Sequence, residues 1–198
     1  MRDRIDSSWV RELTSSPSIT AGVDFASQSR RTGYCEIAWS SDAVTVVALA
    51  SSFDDDQLTE AATKVPKIGI DVPLGWPTAF VDAVTMHARD GSWPSDYLHA
   101  HNEAYRFRQT DIWASDVLGS SLLSVSTDLI AIPAMRAAAV LSRLRTRPAL
   151  DGSGVFVEVY PAGALQRWGL PAKQYKGKAL RINAARSWTG SSSGPVTG

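Results

Sequence analysis

Two aspartates stand at the ends of apolar runs in this 198-residue chain, Ile19-Thr20-Ala21-Gly22-Val23-Asp24-Phe25-Ala26-Ser27 and Ile68-Gly69-Ile70-Asp71-Val72-Pro73-Leu74-Gly75-Trp76-Pro77. Each run reads as a short buried strand carrying an ionisable carboxylate, which is costly unless a cation or hydrogen bonds compensate. Two such carboxylates point to a metal site; the alternative is an aspartate that caps a turn or the following helix. A third apolar run, Val155-Phe156-Val157-Glu158-Val159-Tyr160-Pro161, also holds an acid. Strand alternation puts Glu158 on the face of Phe156 and Tyr160, where it either joins the acidic cluster or pairs with an arginine.

The basic and aromatic residues bear on what such a site could hold. Arg106, Arg108, Thr110 and Asp111 fall in a segment rich in Trp, Tyr, His and Arg. An arginine fork there clamps a phosphate that Thr110 orients, or it forms an Arg–Asp brace that fixes the segment. Seven tryptophans are many for this length, and Trp76 and Trp113 lie beside candidate site motifs. Exposed aromatics of this kind can stack bases, although most tryptophans belong in a core. His99 and His101 alternate as in a strand pair but have no third ligand nearby, which argues against zinc. The single cysteine, Cys35, excludes an intramolecular disulfide and a cysteine-rich metal site.

The composition, 44% hydrophobic with no window approaching a membrane span, fits one sizeable core in the cytoplasm. The formal net charge is zero, against a broad basic surface for nucleic acid. That average conceals a split. Residues 1–100 hold 8 Lys+Arg and 14 Asp+Glu, and residues 101–198 hold 12 and 6, so an acidic site facing a basic wall is one outcome and mutual neutralisation is the other.

Elements that could position these residues follow from periodicity. Residues 1–17 read as a loose arm and 183–198 as a disordered Ser/Gly-rich tail, leaving one domain over 18–182. Strands at 19–26, 33–39 and 43–50 are joined by short polar links and predict an antiparallel meander. Asp54-Asp55-Asp56 opens a helix that Pro66 ends, and the Asp71 strand after that crossover is expected parallel to its neighbour. Pro77 suits the first turn of the next helix. Residues 91–125 read as an insertion, and 127–146 as a helix that Pro133 kinks or starts. A short helix from Ala162 to Trp168 should close at Gly169 in a left-handed cap.

Seven segments carry a family resemblance: Ala21–Ser27, Ile68–Pro77, Arg108-Gln109-Thr110-Asp111, Ser124-Val125-Ser126, Ala134-Met135-Arg136, Val157–Ala162 and Tyr175-Lys176-Gly177. In order and spacing they resemble an uncharacterised domain-of-unknown-function family described as predicted nucleases with an RNase H-like fold. The resemblance implies an α/β fold with a mixed five-stranded sheet, three antiparallel strands followed by two parallel ones. It also implies helices on both faces and a helical insertion between strands 4 and 5.

The resemblance further implies a hydrolase that cleaves phosphodiesters with divalent ions, magnesium or manganese, held by hard oxygen ligands. Asp24 matches the first-strand ligand and Asp71 the fourth-strand ligand, with Glu158 the third candidate. Arg106, Arg108, Thr110, Asp111, Trp76 and Lys176 become the candidate substrate-binding residues, with nucleic acid the implied partner and the Arg136–Arg147 helix part of its surface. The family's terminal acidic segment has no counterpart here, because no Asp or Glu follows Glu158. The expectation is a truncated chain of low activity whose uncovered apolar surface favours a homodimer. The competing reading is a non-catalytic member that binds a metal, nucleotide or protein. A phosphotransferase is a weaker third, lacking a glycine-rich phosphate loop.

Overall fold

The computed structural model describes residues 18–98, 102–119, 121–145 and 152–171. The expected arm and tail, the two histidines at 99 and 101, and Lys176 lie outside the described residues. The chain divides into two compact units, Met1–Tyr160 and Pro161–Gly198.

In the first unit the polar links do turn the chain back on itself. Strand β1 (Ser18–Asp24) pairs antiparallel with β2 (Gly33–Trp39), and β2 pairs antiparallel with β3 (Val44–Ala50). The crossover helix α1 (Asp55–Lys64) starts at a reciprocal cap, in which the Gln57 amide donates to the Asp54 carboxylate and the Gln57 side chain accepts from the Asp54 amide, each at 2.8 Å. It leads to β4 (Ile68–Ile70), parallel to β1, and β5 (Phe156–Glu158) adds in parallel beyond it. The sheet order is β3-β2-β1-β4-β5, a mixed five-stranded sheet within an α/β fold.

Between β4 and β5 come α2 (Thr78–Asp90), the single-turn α3 (Glu103–Arg106), α4 (Gln109–Leu118) and α5 (Ala131–Arg143). The last begins four residues later than periodicity predicts. Residues 124–128 instead form a turn closed on the Asp128 carboxylate, which accepts from the Ser124 amide at 2.6 Å. Pro133 then falls in the first turn of α5, where its missing amide costs nothing. Strand β5 is shorter than the 155–161 run, since Pro161 cannot donate to a ladder and opens α6 instead.

One sheet face carries the core. Ala21, Val23, Ile68, Ile70 and Phe156 belong to a buried cluster with Leu58 and Ala61 of α1 and Ala134, Ala137 and Val140 of α5. On the other face Val46 is exposed and Leu49 is 79% exposed. The edge strand β3 is interrupted there by a bulge: Glu36 pairs with Ala48 and Ile37 with Val46, so Val47 has no partner across the ladder. Of the second unit, α6 (Pro161–Arg167) is described, and it is followed by Gly169 in the expected left-handed conformation at φ 70°.

Candidate functional site

The parallel register of β1 and β4 decides where the two aspartates lie. Gly22 pairs with Gly69 and Val23 with Ile70, and the Asp71 amide donates to the Val23 carbonyl at 2.9 Å, so the ladder runs on past β4. Asp24 and Asp71 therefore end adjacent strands, spaced by about 4.8 Å as in any sheet. Val23 and Ile70 point into the core, so alternation turns both aspartates to the opposite face.

That face is floored by glycine around the carboxylates. Gly22 precedes Asp24 by two residues, Gly69 precedes Asp71 by two, and Gly33 faces Asp24 across the β1–β2 ladder. A Cβ at Gly22 would meet nothing within 4 Å, and one at Gly33 would lie 3.7 Å from the Asp24 Cβ. At Gly22 the missing side chain leaves the surface beside Asp24 low enough for a group to approach, whereas at Gly69 the space is filled by Val159, whose Cγ1 would lie 3.0 Å from an added Cβ.

Glu158 takes the second of its two predicted roles and pairs with an arginine. In register with Ile70, it lies on the core side of the sheet, away from the face of Asp24 and Asp71. Its Oε1 accepts from Arg108 at 2.6 Å and its Oε2 accepts from the same guanidinium at 2.7 Å. Oε2 also accepts from the Leu74 amide at 2.9 Å.

Arg108 and Asp111 form the brace that was one of their two expected arrangements. The Asp111 carboxylate accepts from Arg108 Nε at 3.0 Å, from the guanidinium at 2.6 Å and from the Arg108 backbone amide at 2.9 Å, which caps α4. The side chains of Arg108 and Asp111 are 13% and 8% exposed, against 34% for Glu158. Burial by itself would lower the Arg108 pKa, but the hydrogen bonds of Glu158 and Asp111 outweigh it and raise the pKa above the ordinary arginine range. The guanidinium stays charged with its forks committed to two carboxylates.

The other predicted residues are dispersed. Arg106 is exposed with its guanidinium 5.0 Å from the Phe107 ring, and Thr110 is exposed in the first turn of α4. Trp76 packs against the core cluster, whereas Trp113 is 68% exposed. Among the described residues no three His, Cys, Asp or Glu side chains converge at metal-binding spacing.

Arg136 corrects the expectation of a basic helix face directed at nucleic acid. Its guanidinium is turned inward, 4.3 Å over the buried Phe25 ring. It donates to the Ala26 carbonyl at 2.6 Å, to Thr32 Oγ1 at 2.8 Å and to Asp55 at 2.5 and 3.0 Å. Arg143 of the same helix pairs with Asp56. Ser124, which the sequence marks only as part of a resemblance segment, proves to be an anchor. Fully buried, it donates from Oγ to the Arg106 carbonyl at 2.7 Å and so fixes the entry to the brace. A serine flanked by Val125 and Ser126 gives no sequence signal of this, because its partner lies 18 residues away.

The profile of a family described as a protein of unknown function, DUF429, matches residues 22–192. The chain belongs to that family. The matched DUF429 region begins within β1, two residues before Asp24, and contains both aspartates, the Arg108–Asp111 brace, Arg136 and Glu158. No curated protein matches the chain, and no solved structure does.

Proposed function

We propose that this DUF429 protein is a metal-dependent phosphodiester hydrolase, a nuclease of RNase H-like fold. The observation that carries the reading is the in-register parallel pairing of β1 and β4, which puts Asp24 and Asp71 at neighbouring strand ends, with the surface at Gly22 left open beside Asp24. The sheet order β3-β2-β1-β4-β5, with β1 to β3 antiparallel and β4 and β5 parallel, supports the fold assignment.

The donor set fits magnesium or manganese. Both groups are hard carboxylate oxygens, and the open face leaves room for the waters that such ions retain. Asp24 and Asp71 would hold the ion, which when bound would activate water and neutralise charge on a phosphodiester. Their own contribution is a fixed pair of negative charges on a rigid sheet, with Arg106 exposed on the insertion to attract a phosphate.

A second reading, a non-catalytic protein that binds a metal, nucleotide or partner, is favoured by one feature. With Glu158 engaged by Arg108, two carboxylates alone supply the ion, so affinity should be low. Calorimetric titration with manganese, followed by a labelled panel of single- and double-stranded DNA and RNA, separates the two. Metal-dependent cleavage that is lost in Asp71→Asn supports the hydrolase; manganese binding with no cleavage of any oligonucleotide supports the second reading. An unchanged manganese affinity in Asp71→Asn removes Asp71 from the site.

A further inference from the structure

We infer that Arg108, acting through Glu158, positions the loop that carries Asp71, so that both are positioning residues for the cation site and neither is a ligand. The inference rests on the reading of Asp24 and Asp71 given above. Three segments far apart in sequence meet at one carboxylate: Glu158 from β5, Arg108 at the start of α4, and Leu74 from the loop after β4.

The loop needs such a latch. Its first residues are tied by one sheet bond, the Asp71 amide on the Val23 carbonyl, and by a tight local turn in which the Val72 amide donates to the Ile70 carbonyl. Beyond them the chain runs through Pro73, which has no amide to donate, to Leu74 and then Gly75 at φ 134°, a conformation open to glycine and strained for other residues. The Leu74 amide is the donor that Glu158 captures, three residues beyond Asp71. Glu158 in turn is held by both of its oxygens, and Arg108 is held by Asp111. Movement of α4 is thereby transmitted to the Asp71 loop through charge-assisted bonds, the geometry by which outer residues tune a metal site.

The alternative is that Glu158 is itself a ligand, and the two predict opposite responses to loss of Arg108. The test measures manganese affinity by calorimetry and Leu74 amide exchange by NMR in the full chain, with Arg108→Lys, Arg108→Gln, Glu158→Gln and the double variant Arg108→Gln/Glu158→Gln. Circular dichroism confirms that each variant is folded, and Arg108→Lys serves if the neutral variants are not. Positioning predicts that Arg108→Gln and Glu158→Gln each weaken manganese binding by about tenfold and accelerate Leu74 exchange. The double variant should be no worse than either single one, because both break the same chain of contacts, and Arg108→Lys should recover part of the loss.

Tighter binding in Arg108→Gln together with abolished binding in Glu158→Gln would make Glu158 a ligand and overturn the inference. Lowered melting temperatures with unchanged manganese affinity would reduce the brace to a stabilising contact, which also overturns it. If the unmodified chain binds no manganese, the cation reading itself fails. The latch is then judged by Leu74 exchange alone: acceleration in Arg108→Gln upholds it and an unchanged rate refutes it.

Discussion

The loops after β1 and β4 each follow a strand-end aspartate and are each secured by a mostly buried arginine, but the contacts differ. After β1, Arg136 binds the loop directly through the Ala26 carbonyl and Thr32, with Asp55 balancing its charge and Phe25 beneath it. After β4, the contact runs through an intermediary: Glu158 takes the Leu74 amide, and Arg108 holds Glu158. The difference follows from which backbone group the loop presents. A carbonyl can be met by a cation, whereas an amide requires an acceptor, and a partly buried carboxylate acceptor requires a cation of its own. One clamp therefore has a single charge facing the loop and the other a relay of two.

The comparison predicts unequal costs. Arg108→Ala removes the cation between two carboxylates, leaving Asp111 buried without its countercharge and Glu158 beside it, so unfolding free energy should fall by about 3–5 kcal/mol in urea titration. Arg136→Ala strips donors from Ala26 and Thr32 but leaves Asp55 exposed enough to take up water, so the loss should be about 2 kcal/mol. Equal losses would show that the relay carries no extra burden. Adding Glu158→Gln to Arg108→Ala should recover part of the first loss, whereas adding it to Arg136→Ala should recover none of the second.

Much of this arrangement could be read from the sequence, and its limits are physical. Alternating apolar residues and short polar links reveal β1 to β3, and the crossover helix predicts the parallel β1–β4 pair that brings Asp24 and Asp71 together. Local chemistry also exposes the helix start at Asp54-Asp55-Asp56, though not the reciprocal Asp54–Gln57 cap, and the left-handed Gly169. The clamps were less visible. Arg108 and Asp111 sit three apart on one helix turn, which makes a brace readable, but the third partner, Glu158, lies 50 residues on, and its choice between cation and arginine depends on a strand register that periodicity does not set. Arg136 is separated from Asp55 by 81 residues, and on a helix wheel it looks like any solvated arginine.

A site outside both clamps provides a reference for these losses. Tyr34 of β2 is buried, stacks on Phe53 at 4.0 Å and donates to Glu36. Burial first, and the Glu36 carboxylate second, push its pKa upward. The neutral phenol is thus favoured in the fold, and its contribution is fully present below the unfolded value of about 10 and lost as pH rises above it. Thermal melts from pH 8 to 11 should show stability declining at the alkaline end, with a shallower decline in Tyr34→Phe. Arg108→Lys and Arg136→Lys should leave that slope as it is, since neither clamp includes Tyr34.

The smallest effect on stability is expected at the aspartates themselves. Asp24 is exposed and Asp71 half-buried, and as neighbours on parallel strands they repel one another. Asp24→Asn or Asp71→Asn relieves that repulsion while keeping shape and hydrogen-bonding capacity, so each should shift unfolding free energy by no more than about 0.5 kcal/mol. Manganese binding should nevertheless be lost, because an amide oxygen is a poor replacement for one of only two anionic donors. The contrast with Arg108→Ala is the sharpest form of the comparison: on the proposed reading the brace should stabilise the fold and the strand ends should hold the ion. Urea titration and calorimetry on the same preparations test it directly. An Asp71→Asn chain that loses several kcal/mol would place Asp71 within the brace and move the boundary between holding the loop and holding the cation.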